Sequence, residues 1–432
     1  MRYEEAVRYI GTLRRFGMKP GLDRMRRILS KLGHPEDGLR FYHVAGTNGK
    51  GSVCAMLAAM LQALGYRTGL YTSPGMGGFN GRVAVDGAPI SESAFAEHVD
   101  AVRRAADAAD PPTEFEVLTA VALLAFRSAG VERVVWETGL GGRLDATNVV
   151  WPQVTGITNV SYDHVDILGP TLVDIAREKA GIVKPGVPVV TACADGAYGV
   201  IERTAARLGS KLVRVGREVQ FTITGADGRL RGAYRGLFRD APMVRLGLVG
   251  EHQAQNAAVG LAMLEAGEGR IAEADWERAL ASLARVRWPL RCEVFDIGGR
   301  RVVIDGAHNE EGARTLARTL RRLGKAWGAS RWRMVFAAFA DKDVRAMLAH
   351  MLPLAGSLLI LQSPHPRGAD PRKLASLARE IRPDVSIHVM PSIEDAIQEA
   401  LAGPEPIVIW GNLYMAELAR NTITALGAEE WQ

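Results

Sequence analysis

The sequence predicts an α/β protein of two domains, a first with a mostly parallel sheet and a second that is Rossmann-like. Short apolar runs rich in Val and Ile alternate with longer amphipathic segments from Phe41 onward, which is the pattern of strands that feed helices. At 432 residues the chain exceeds the roughly 100 to 200 residues of a typical domain. Its 47% hydrophobic and 23% charged residues favour a folded chain with a sizeable core.

The first domain is predicted to contain strands and helices in alternation. The predicted strands are residues 41–45, 133–137, 154–160 and 187–191, and the predicted helices are 52–64 and 172–182. Between residues 218 and 248, alternation around an Asp-Gly pair predicts a small antiparallel insertion. Helical periodicity returns at residues 254–264 and 276–283.

The domain boundary is predicted in the segment RVRWPLRCE, where Pro289 interrupts the helical periodicity. Residues 1–288 then form the first domain and residues 289–432 the second. In the second domain, predicted strands at 301–305, 334–338, 358–362, 386–389 and 407–410 alternate with helical patterns. This alternation predicts the Rossmann-like α/β fold.

The charge balance is basic, with a formal net charge of +5 and a pI of about 9.1. The excess comes largely from scattered arginines, most of which we expect on solvated helix faces. A basic balance favours anionic small molecules as ligands. No dense basic tract with interleaved aromatics is present, so nucleic acid is not an expected partner.

Cysteine usage and apolar patterning indicate the compartment. Cys54, Cys193 and Cys292 are far apart and none lies in a CxxC pair, which argues against a disulfide framework or a zinc site. The N-terminal stretch has no apolar run of signal length, and nowhere do about 18 apolar residues follow one another. We therefore expect a cytoplasmic protein without a membrane partner.

The segment VAGTNGKGSV resembles a phosphate-binding loop. Gly46, Gly49 and Gly51 stand between a predicted strand and a predicted helix, where backbone N–H groups can converge on phosphate oxygens. Lys50 would reach the terminal phosphates, and the Ser52 hydroxyl could bind magnesium or cap the helix. The spacing departs from GxxxxGK[ST] because Gly51 follows the lysine. An ordinary glycine-rich turn is the alternative, but the Lys and Ser favour a nucleotide.

The first domain is therefore predicted to be a P-loop ATPase domain. The ATP-binding residues of the loop are predicted to be Gly46, Thr47, Asn48, Gly49, Lys50, Gly51 and Ser52.

Several ordered motifs make the whole chain resemble one family. They are GTNGKGS at Gly46, YTSP at Tyr71, TEFE at Thr113, ETGLGGRLDATN at Glu137, ITNVSYDHVDILGPT at Ile157, EKAGIVKPG at Glu178, HQAQNA at His252, WPLR at Trp288 and DGAHN at Asp305. This set is similar to the folylpolyglutamate synthase and dihydrofolate synthase family, a branch of the Mur ligases.

The resemblance implies an ATP-dependent ligase that joins L-glutamate to a pterin or folate carboxylate. In such enzymes ATP phosphorylates the carboxylate, and the glutamate amine then attacks the acyl phosphate. Cationic groups and magnesium, expected as two ions, must neutralise the γ-phosphate and the carboxylate. A monomer is expected.

The resemblance also assigns metal and catalytic residues. Metal ligands would be Ser52, Ser73, Glu137 and His164, with a carbamylated Lys179 for a second ion, and the catalytic set would be Lys50, Glu137, His164, Lys179 and His308. From the residues alone, Glu137 could instead be a solvated cap or salt-bridge partner. Lys179, placed in the first turns of its helix, could be a surface lysine paired with Glu178 or Asp174.

For the nucleotide, the resemblance places Asn256 at the adenine, Arg291 at a phosphate and Asp305 at the ribose, with His308 near the phosphates. ATP would then bridge the two domains, and closure would assemble the site. A buried salt bridge of Arg291 and Asp305 between the domains is the structural alternative.

For the acceptor, the resemblance implies three segments. They are Leu22, Asp23 and Arg24; Thr113, Glu114, Phe115 and Glu116; and Leu144, Asp145 and Ala146. Phe115 could offer a flat stacking face. Phe115 and Leu144 could equally be plain core residues.

The chain departs from the family pattern at four positions. Gly75 and Gly81 replace a common histidine and glutamate, Leu290 replaces the glycine of Trp-Pro-Gly-Arg, and Glu310 replaces a proline. A Mur-type ligase of the same mechanism on another carboxylate, or a nucleotide-binding regulatory module without turnover, are therefore alternatives. Retention of Lys50, Glu137, His164 and Lys179 argues against the second.

Overall fold

The computed structural model describes residues 1–14, 17, 19–75, 77–225 and 229–431. The chain divides into two compact units. The first comprises Met1–Thr222, Gly232–Arg245 and Ala254–Val286, and the second comprises Ile223–Arg231, Leu246–Gln253 and Arg287–Gln432. The predicted α/β class is confirmed, while the boundary at residue 288 stays a prediction.

The first unit is built on an eight-stranded sheet. Its strands are β1 (Arg40–Ala45), β2 (Thr68–Tyr71), β3 (Val83–Val85), β4 (Ala88–Pro89), β5 (Arg133–Glu137), β6 (Pro152–Ile157), β7 (Val189–Thr191) and β8 (Leu212–Arg214). The order is β4-β3-β2-β5-β1-β6-β7-β8. In this order the neighbouring strands β2, β5, β1, β6, β7 and β8 pair in parallel, whereas β3 pairs antiparallel with β2 and β4 pairs antiparallel with β3.

Helices cover this sheet. They are α1 (Tyr3–Leu13), α2 (Asp23–Lys31), α3 (Lys50–Ala63), α4 (Glu92–Ala105), α5 (Glu114–Ser128), α6 (Val165–Leu168), α7 (Leu172–Ala180), α8 (Asp195–Arg207), α9 (His252–Glu268) and α10 (Glu273–Leu283). α3 begins at Lys50, two residues before the prediction, because the left-handed Gly49 ends the preceding loop. β6 ends at Ile157 and not at residue 160, because the Thr158 hydroxyl turns to the Asn48 carbonyl at 2.6 Å.

The predicted small insertion is confirmed as a three-stranded sheet. Its strands are β9 (Gln220–Gly225), β10 (Arg231–Arg235) and β11 (Ala241–Arg245), in the order β11-β10-β9. Their connections are too short for parallel crossovers, so neighbouring strands run antiparallel.

The second unit is built on a seven-stranded sheet. Its strands are β12 (Glu293–Ile297), β13 (Arg300–Asp305), β14 (Trp332–Phe336), β15 (Ala355–Ile360), β16 (Ser386–Val389), β17 (Ile407–Trp410) and β18 (Glu429–Glu430), in the order β16-β15-β14-β17-β13-β12-β18. The five neighbouring strands β16, β15, β14, β17 and β13 are parallel, whereas β12 and β18 pair antiparallel at one side of the sheet.

The helices of the second unit alternate with its parallel strands. They are α11 (Glu310–Trp327), α12 (Val344–Met351), α13 (Pro371–Ile381), α14 (Ile393–Leu401) and α15 (Leu413–Ala425). This alternation confirms the predicted second α/β domain. In the described part of the chain, no helix combines the length and apolar character needed to cross a bilayer.

A buried ion pair joins the start of β5 to the end of α9 in the first unit. Arg133 and Glu268, with side chains only 7% and 8% exposed, form two hydrogen bonds of 2.7 and 3.0 Å. The hydroxyls of Tyr42 and Tyr66 donate to the same carboxylate, and the guanidinium stacks 3.9 Å from the Tyr66 ring. The carboxylate charge is therefore fully compensated inside the protein.

Replacing Glu268 by alanine should destabilise the first unit strongly, because it leaves the buried Arg133 cation unpaired. We expect a loss of about 3–5 kcal/mol in the free energy of unfolding, measured by urea denaturation. Glu277→Ala, an exposed glutamate on the neighbouring α10, is the control and should change stability by less than about 0.5 kcal/mol. Equal stabilities of the two variants would contradict the role given to the ion pair.

Candidate active site

Three parallel strands end side by side at one edge of the first sheet. The register places Val44 of β1 beside Glu137 of β5, and Ala45 beside Ile157 of β6. The loops that follow these strands therefore start from the same edge, which is where open α/β sheets bind ligands. The glycine-rich loop, Glu137 and the segment that carries His164 all lie in these loops or at their start.

The glycine-rich turn between β1 and α3 is packed without room for side chains. A Cβ at Gly46 would lie 1.8 Å from the Thr158 hydroxyl oxygen. Gly49 has φ of +82°, and a Cβ there would lie 2.5 Å from Asn256 Oδ1. Asn256, the predicted adenine residue, thus lies against the turn.

Asn159 fixes the middle of the turn. The backbone N–H of Thr47 donates to the Asn159 carbonyl at 3.1 Å, and that of Asn48 donates to its side-chain oxygen at 2.8 Å. The N–H groups that open α3 are those for which a helix provides no internal partner. The phosphate-binding surface is therefore expected at the start of α3, where Gly51 and Ser52 are buried in the first turn.

Lys50 lies across its own loop in this structure. Its ammonium group donates to the carbonyls of Gly46 at 3.0 Å and Thr47 at 3.3 Å. These carbonyls belong to the turn where phosphate is expected, so the cation is already held close to it. Contact of Lys50 with a phosphate stays a prediction.

Glu137 is buried at the end of β5, with only 3% of its surface exposed. One of its carboxylate oxygens accepts the backbone N–H of Ser73 at 3.2 Å. The alternative of a solvated cap is therefore wrong. The two residues belong to β5 and to the loop after the neighbouring β2, so sheet pairing brings them together.

The buried Glu137 carboxylate fits a magnesium ion that is carried by a nucleotide. Within the described residues, no three His, Cys, Asp or Glu side chains gather as a metal site. Nucleotide-bound magnesium does not need such a cage, because phosphates and water supply most of its ligands and the protein adds one or two oxygens. A buried carboxylate beside the turn meets that requirement.

His164 stands next to a buried carboxylate. It has φ of +51° and precedes the short α6, and its Nε2 lies 3.8 Å from Asp163 Oδ1. The Asp163 side chain is 8% exposed and that of His164 is 35% exposed. Asp163 is an acidic group that the sequence reasoning left without a role.

Lys179 lies in the last turn of α7 and not in the first turns, because the helix ends at Ala180 and not at residue 182. The predicted start of the helix at residue 172 is confirmed. The helix begins at Leu172 because the Thr171 hydroxyl caps it, accepting the Asp174 N–H at 3.2 Å. Lys179 is only 3% exposed, so the alternative of a surface lysine is wrong as well. Burial, together with the Lys50 charge, lowers the pKa of Lys179 to about 7.

A cavity of about 460 Å³ opens in the first unit, and its lining includes Ser73 and Glu178. Eight predicted site residues line it: Ser73, Thr113, Glu114, Phe115, Glu116, Leu144, Asp145 and Ala146. Leu22, Asp23 and Arg24 do not line it. Arg24 instead supports the wall from behind, with its guanidinium 2.9 Å from Glu116 and 3.0 Å from Asp110.

The TEFE segment that lines the cavity is the N-terminus of α5. Thr113 and Glu116 form a capping box, in which the threonine oxygen accepts the Glu116 N–H at 3.2 Å and the carboxylate accepts the Thr113 N–H at 2.7 Å. Their side chains therefore have a structural task. Phe115 faces the cavity with its ring packed against Gly139, and Leu144 is 37% exposed, so Leu144 is not a core residue.

Charged residues that sequence reasoning missed also line this cavity. Arg14 pairs with Glu114 at 2.8 Å, and Arg143 pairs with Glu178 at 2.7 Å. Lys19 lies 3.7 Å from Asp110. Arg143 stands inside the motif ETGLGGRLDATN, which was the available signal, whereas isolated arginines near the N-terminus carried none.

In the second unit, Arg291, Asp305 and His308 lie close to the end of β13. Asp305 is buried and accepts the backbone N–H groups of Cys292 and Ala307, both at 2.8 Å. His308 Nδ1 donates to the Gly306 carbonyl at 2.8 Å. Arg291 and Asp305 both belong to the second unit, and their roles at the nucleotide stay predictions.

Local packing accounts for two of the departures from the family pattern. A Cβ at Gly75 would lie 2.3 Å from Arg82 Cγ and 2.7 Å from its backbone nitrogen, so this loop accepts only glycine there. Glu310 opens α11 after the capping Asn309, a position where an acidic residue is favoured by the helix dipole. Leu290 is fully buried at φ of +60°.

Comparison with known proteins identifies the family. The Mur ligase middle domain model matches residues 44–264, and the model described as Mur ligase, glutamate ligase domain matches residues 290–410. A dihydrofolate synthase/folylpolyglutamate synthase from Bacillus subtilis (strain 168) is 36% identical over 427 residues, which span 95% of this chain and 97% of that protein. The chain belongs to the folylpolyglutamate synthase and dihydrofolate synthase family of Mur ligases.

Solved structures of this synthase family share the fold. Mycobacterium tuberculosis folylpolyglutamate synthase complexed with ADP and AMPPCP matches with a TM-score of 0.89 at 32% identity, over 99% of this chain and 100% of that chain. Escherichia coli FolC in complex with DHPP and ADP matches with a TM-score of 0.89 at 29% identity, over 98% of each chain.

Gly49→Ala should weaken nucleotide binding, because its methyl group would collide with Asn256 beside the turn. We expect at least about a tenfold rise in the Kd for ATP, measured by calorimetry. Gly65→Ala is the matched control, since Gly65 has φ of +90° but nothing within 4 Å of an added Cβ. Both variants should lose about 1–2 kcal/mol of stability from backbone strain. Unchanged ATP affinity in Gly49→Ala would contradict the site.

Proposed function

We propose that this chain uses ATP at the edge of the first sheet to activate the carboxylate of a folate-type acceptor and then joins L-glutamate to it. ATP-dependent ligation is the activity of the family to which the chain belongs. One observation carries the placement of the reaction. Ser73 lines the 460 Å³ cavity and also donates to the buried Glu137, so the cavity opens onto the strand edge that bears the glycine turn.

The reaction has two balanced steps. An oxygen of the acceptor carboxylate attacks the γ-phosphorus of ATP, which breaks the bond to the β-phosphate oxygen and gives an acyl phosphate and ADP. The glutamate amine then attacks the acyl carbon, loses a proton, and the tetrahedral intermediate collapses to the amide with release of phosphate. The first step brings two anionic groups together and the second develops negative charge on the acyl oxygen, so a cationic environment at this edge lowers both barriers.

Individual residues are proposed in the following roles. Lys50, released from its own loop carbonyls, neutralises the transferring phosphate. Glu137 would hold magnesium with the hydroxyls of Ser52 and Ser73 and with His164, and the ion would supply additional positive charge to the phosphate oxygens. The burial of the Glu137 carboxylate supports its role as a magnesium ligand. Asn256, Arg291, Asp305 and His308 are proposed as nucleotide contacts.

The acceptor is proposed to lie in the cavity of the first unit. Its volume is in the range of small-molecule sites, and Phe115 provides an aromatic face in its wall. The bound DHPP of Escherichia coli FolC supports a pterin-bearing acceptor. Dihydropteroate and reduced folate monoglutamate are therefore the two acceptors to be tested.

Replacing Lys50 by alanine or Glu137 by glutamine should abolish most turnover. The first change removes a cation from the phosphates, and the second removes the carboxylate that is proposed to hold magnesium. We expect kcat to fall on the order of 100-fold or more. The assay follows ADP release with glutamate and each acceptor and identifies products by mass. Lys31→Ala, at an exposed lysine of α2, is the control and should keep wild-type turnover. ATP consumption that does not depend on glutamate would exclude the ligase.

We further propose that Lys179 is carbamylated and so becomes an anionic group for a second magnesium ion. Only a neutral amine attacks carbon dioxide, and burial lowers the pKa of Lys179 to about 7. Raising the pH from about 6 to about 8 should therefore increase the carbamate signal in spectra recorded with isotopically labelled bicarbonate.

Lys179→Met should lose this carbamate signal, whereas Lys31→Met should retain it because Lys31 is exposed. A signal of equal size in both variants would show that Lys179 is not the modified residue.

A further inference from the structure

A chain of buried hydrogen bonds links β1 to the wall of the cavity. His43 of β1 is fully buried, and its Nε2 lies 3.0 Å from the Thr147 hydroxyl oxygen. That hydroxyl lies 2.5 Å from Asp145 Oδ1. His43 itself does not line the cavity, but Asp145 does.

The available protons determine which group donates in each of these hydrogen bonds. The Asp145 carboxylate can only accept, so the Thr147 hydroxyl donates its single proton to it. The hydroxyl must then accept from His43, whose proton is on Nε2. Burial lowers the pKa of His43 to about 3, so the ring keeps this neutral form at the pH of any activity assay.

Asp145 in turn shapes the loop that follows β5. Its Oδ2 accepts the Leu140 N–H at 2.8 Å, and its Oδ1 accepts the Thr147 N–H at 3.0 Å. Gly139, Leu140, Leu144 and Ala146 of this loop line the cavity. The carboxylate is buried, so its charge depends on these donors for compensation.

We propose that His43 is a positioning residue for the acceptor: through Thr147 it fixes the orientation of Asp145 and thereby the cavity wall formed by residues 139–146. This proposal rests on the proposed function, because it takes the cavity as the acceptor site. His43 precedes the glycine turn in sequence, yet its side chain serves the acceptor wall and not the nucleotide.

Kinetics with two replacements test the proposal. His43→Leu keeps a side chain of roughly similar size but replaces the donor by an apolar group, whereas His43→Gln keeps an N–H that can reach Thr147. We expect His43→Leu to raise the acceptor KM about tenfold, the effect of one buried hydrogen bond, with the ATP KM within about twofold. His43→Gln should stay within about threefold of the wild type for both. Equal rises in both KM values, or equal defects in both variants, would overturn the proposal.

A double replacement tests whether His43 acts through Thr147. Thr147→Val removes the same link, so the acceptor KM of the combined variant His43→Leu and Thr147→Val should equal that of Thr147→Val alone. Multiplied effects would show that His43 acts by another route and would overturn the proposal.

Hydrogen exchange provides a readout that needs no substrate, so it stands even if the proposed function fails. In His43→Leu the peptide that covers residues 139–148 should exchange faster, because the Leu140 and Thr147 amides lose an ordered acceptor. His43→Gln should show the wild-type rate there. His98→Leu, at a half-buried histidine of α4, is the control and should leave this peptide unchanged. A wild-type exchange rate of this peptide in His43→Leu would contradict the proposal.

Discussion

The site depends on the close approach of two loops and one helix at the carboxyl edge of one parallel sheet. The backbone at Gly46 and Gly49 leaves no space for a Cβ, because Thr158 and Asn256 occupy it. This contact brings the turn after β1 against the loop after β6 and against α9. Backbone N–H groups that are held rigidly in such a turn can form an anion-binding surface.

The same edge connects the turn to the cavity proposed for the acceptor through short links. Ser73 touches Glu137 and the cavity, and Asp145 joins the cavity wall to β1 by way of Thr147 and His43. Parallel pairing is the cause, since it delivers the ends of β2, β5, β1 and β6 in one row. The residues proposed to bind the acceptor carboxylate and the phosphates therefore lie at the ends of neighbouring strands.

Buried charge is concentrated at this edge. Glu137, Asp145 and Lys179 are each less than a tenth exposed, and ionised groups at such positions require compensation by donors or opposite charge. The backbone N–H of Ser73 and the donors around Asp145 provide part of that compensation. For Lys179 burial prevails, which is why its pKa falls far below that of an exposed lysine.

The sequence alone determined the α/β class, the glycine turn and the family, because strand and helix periodicity and contiguous motifs are properties of neighbouring residues. It placed the start of α7 correctly but extended the helix to residue 182, whereas the helix ends at Ala180, so Lys179 lies in its last turn. It did not recognise that TEFE has the spacing of a capping box, so the structural role of Thr113 and Glu116 at the start of α5 was missed. Only the tertiary structure decided that Lys179 is buried, that Arg24 stands behind the cavity wall, and that His43 reaches Asp145. Burial and hydrogen-bond partners depend on segments far apart in the chain, and their packing is not encoded in any one motif.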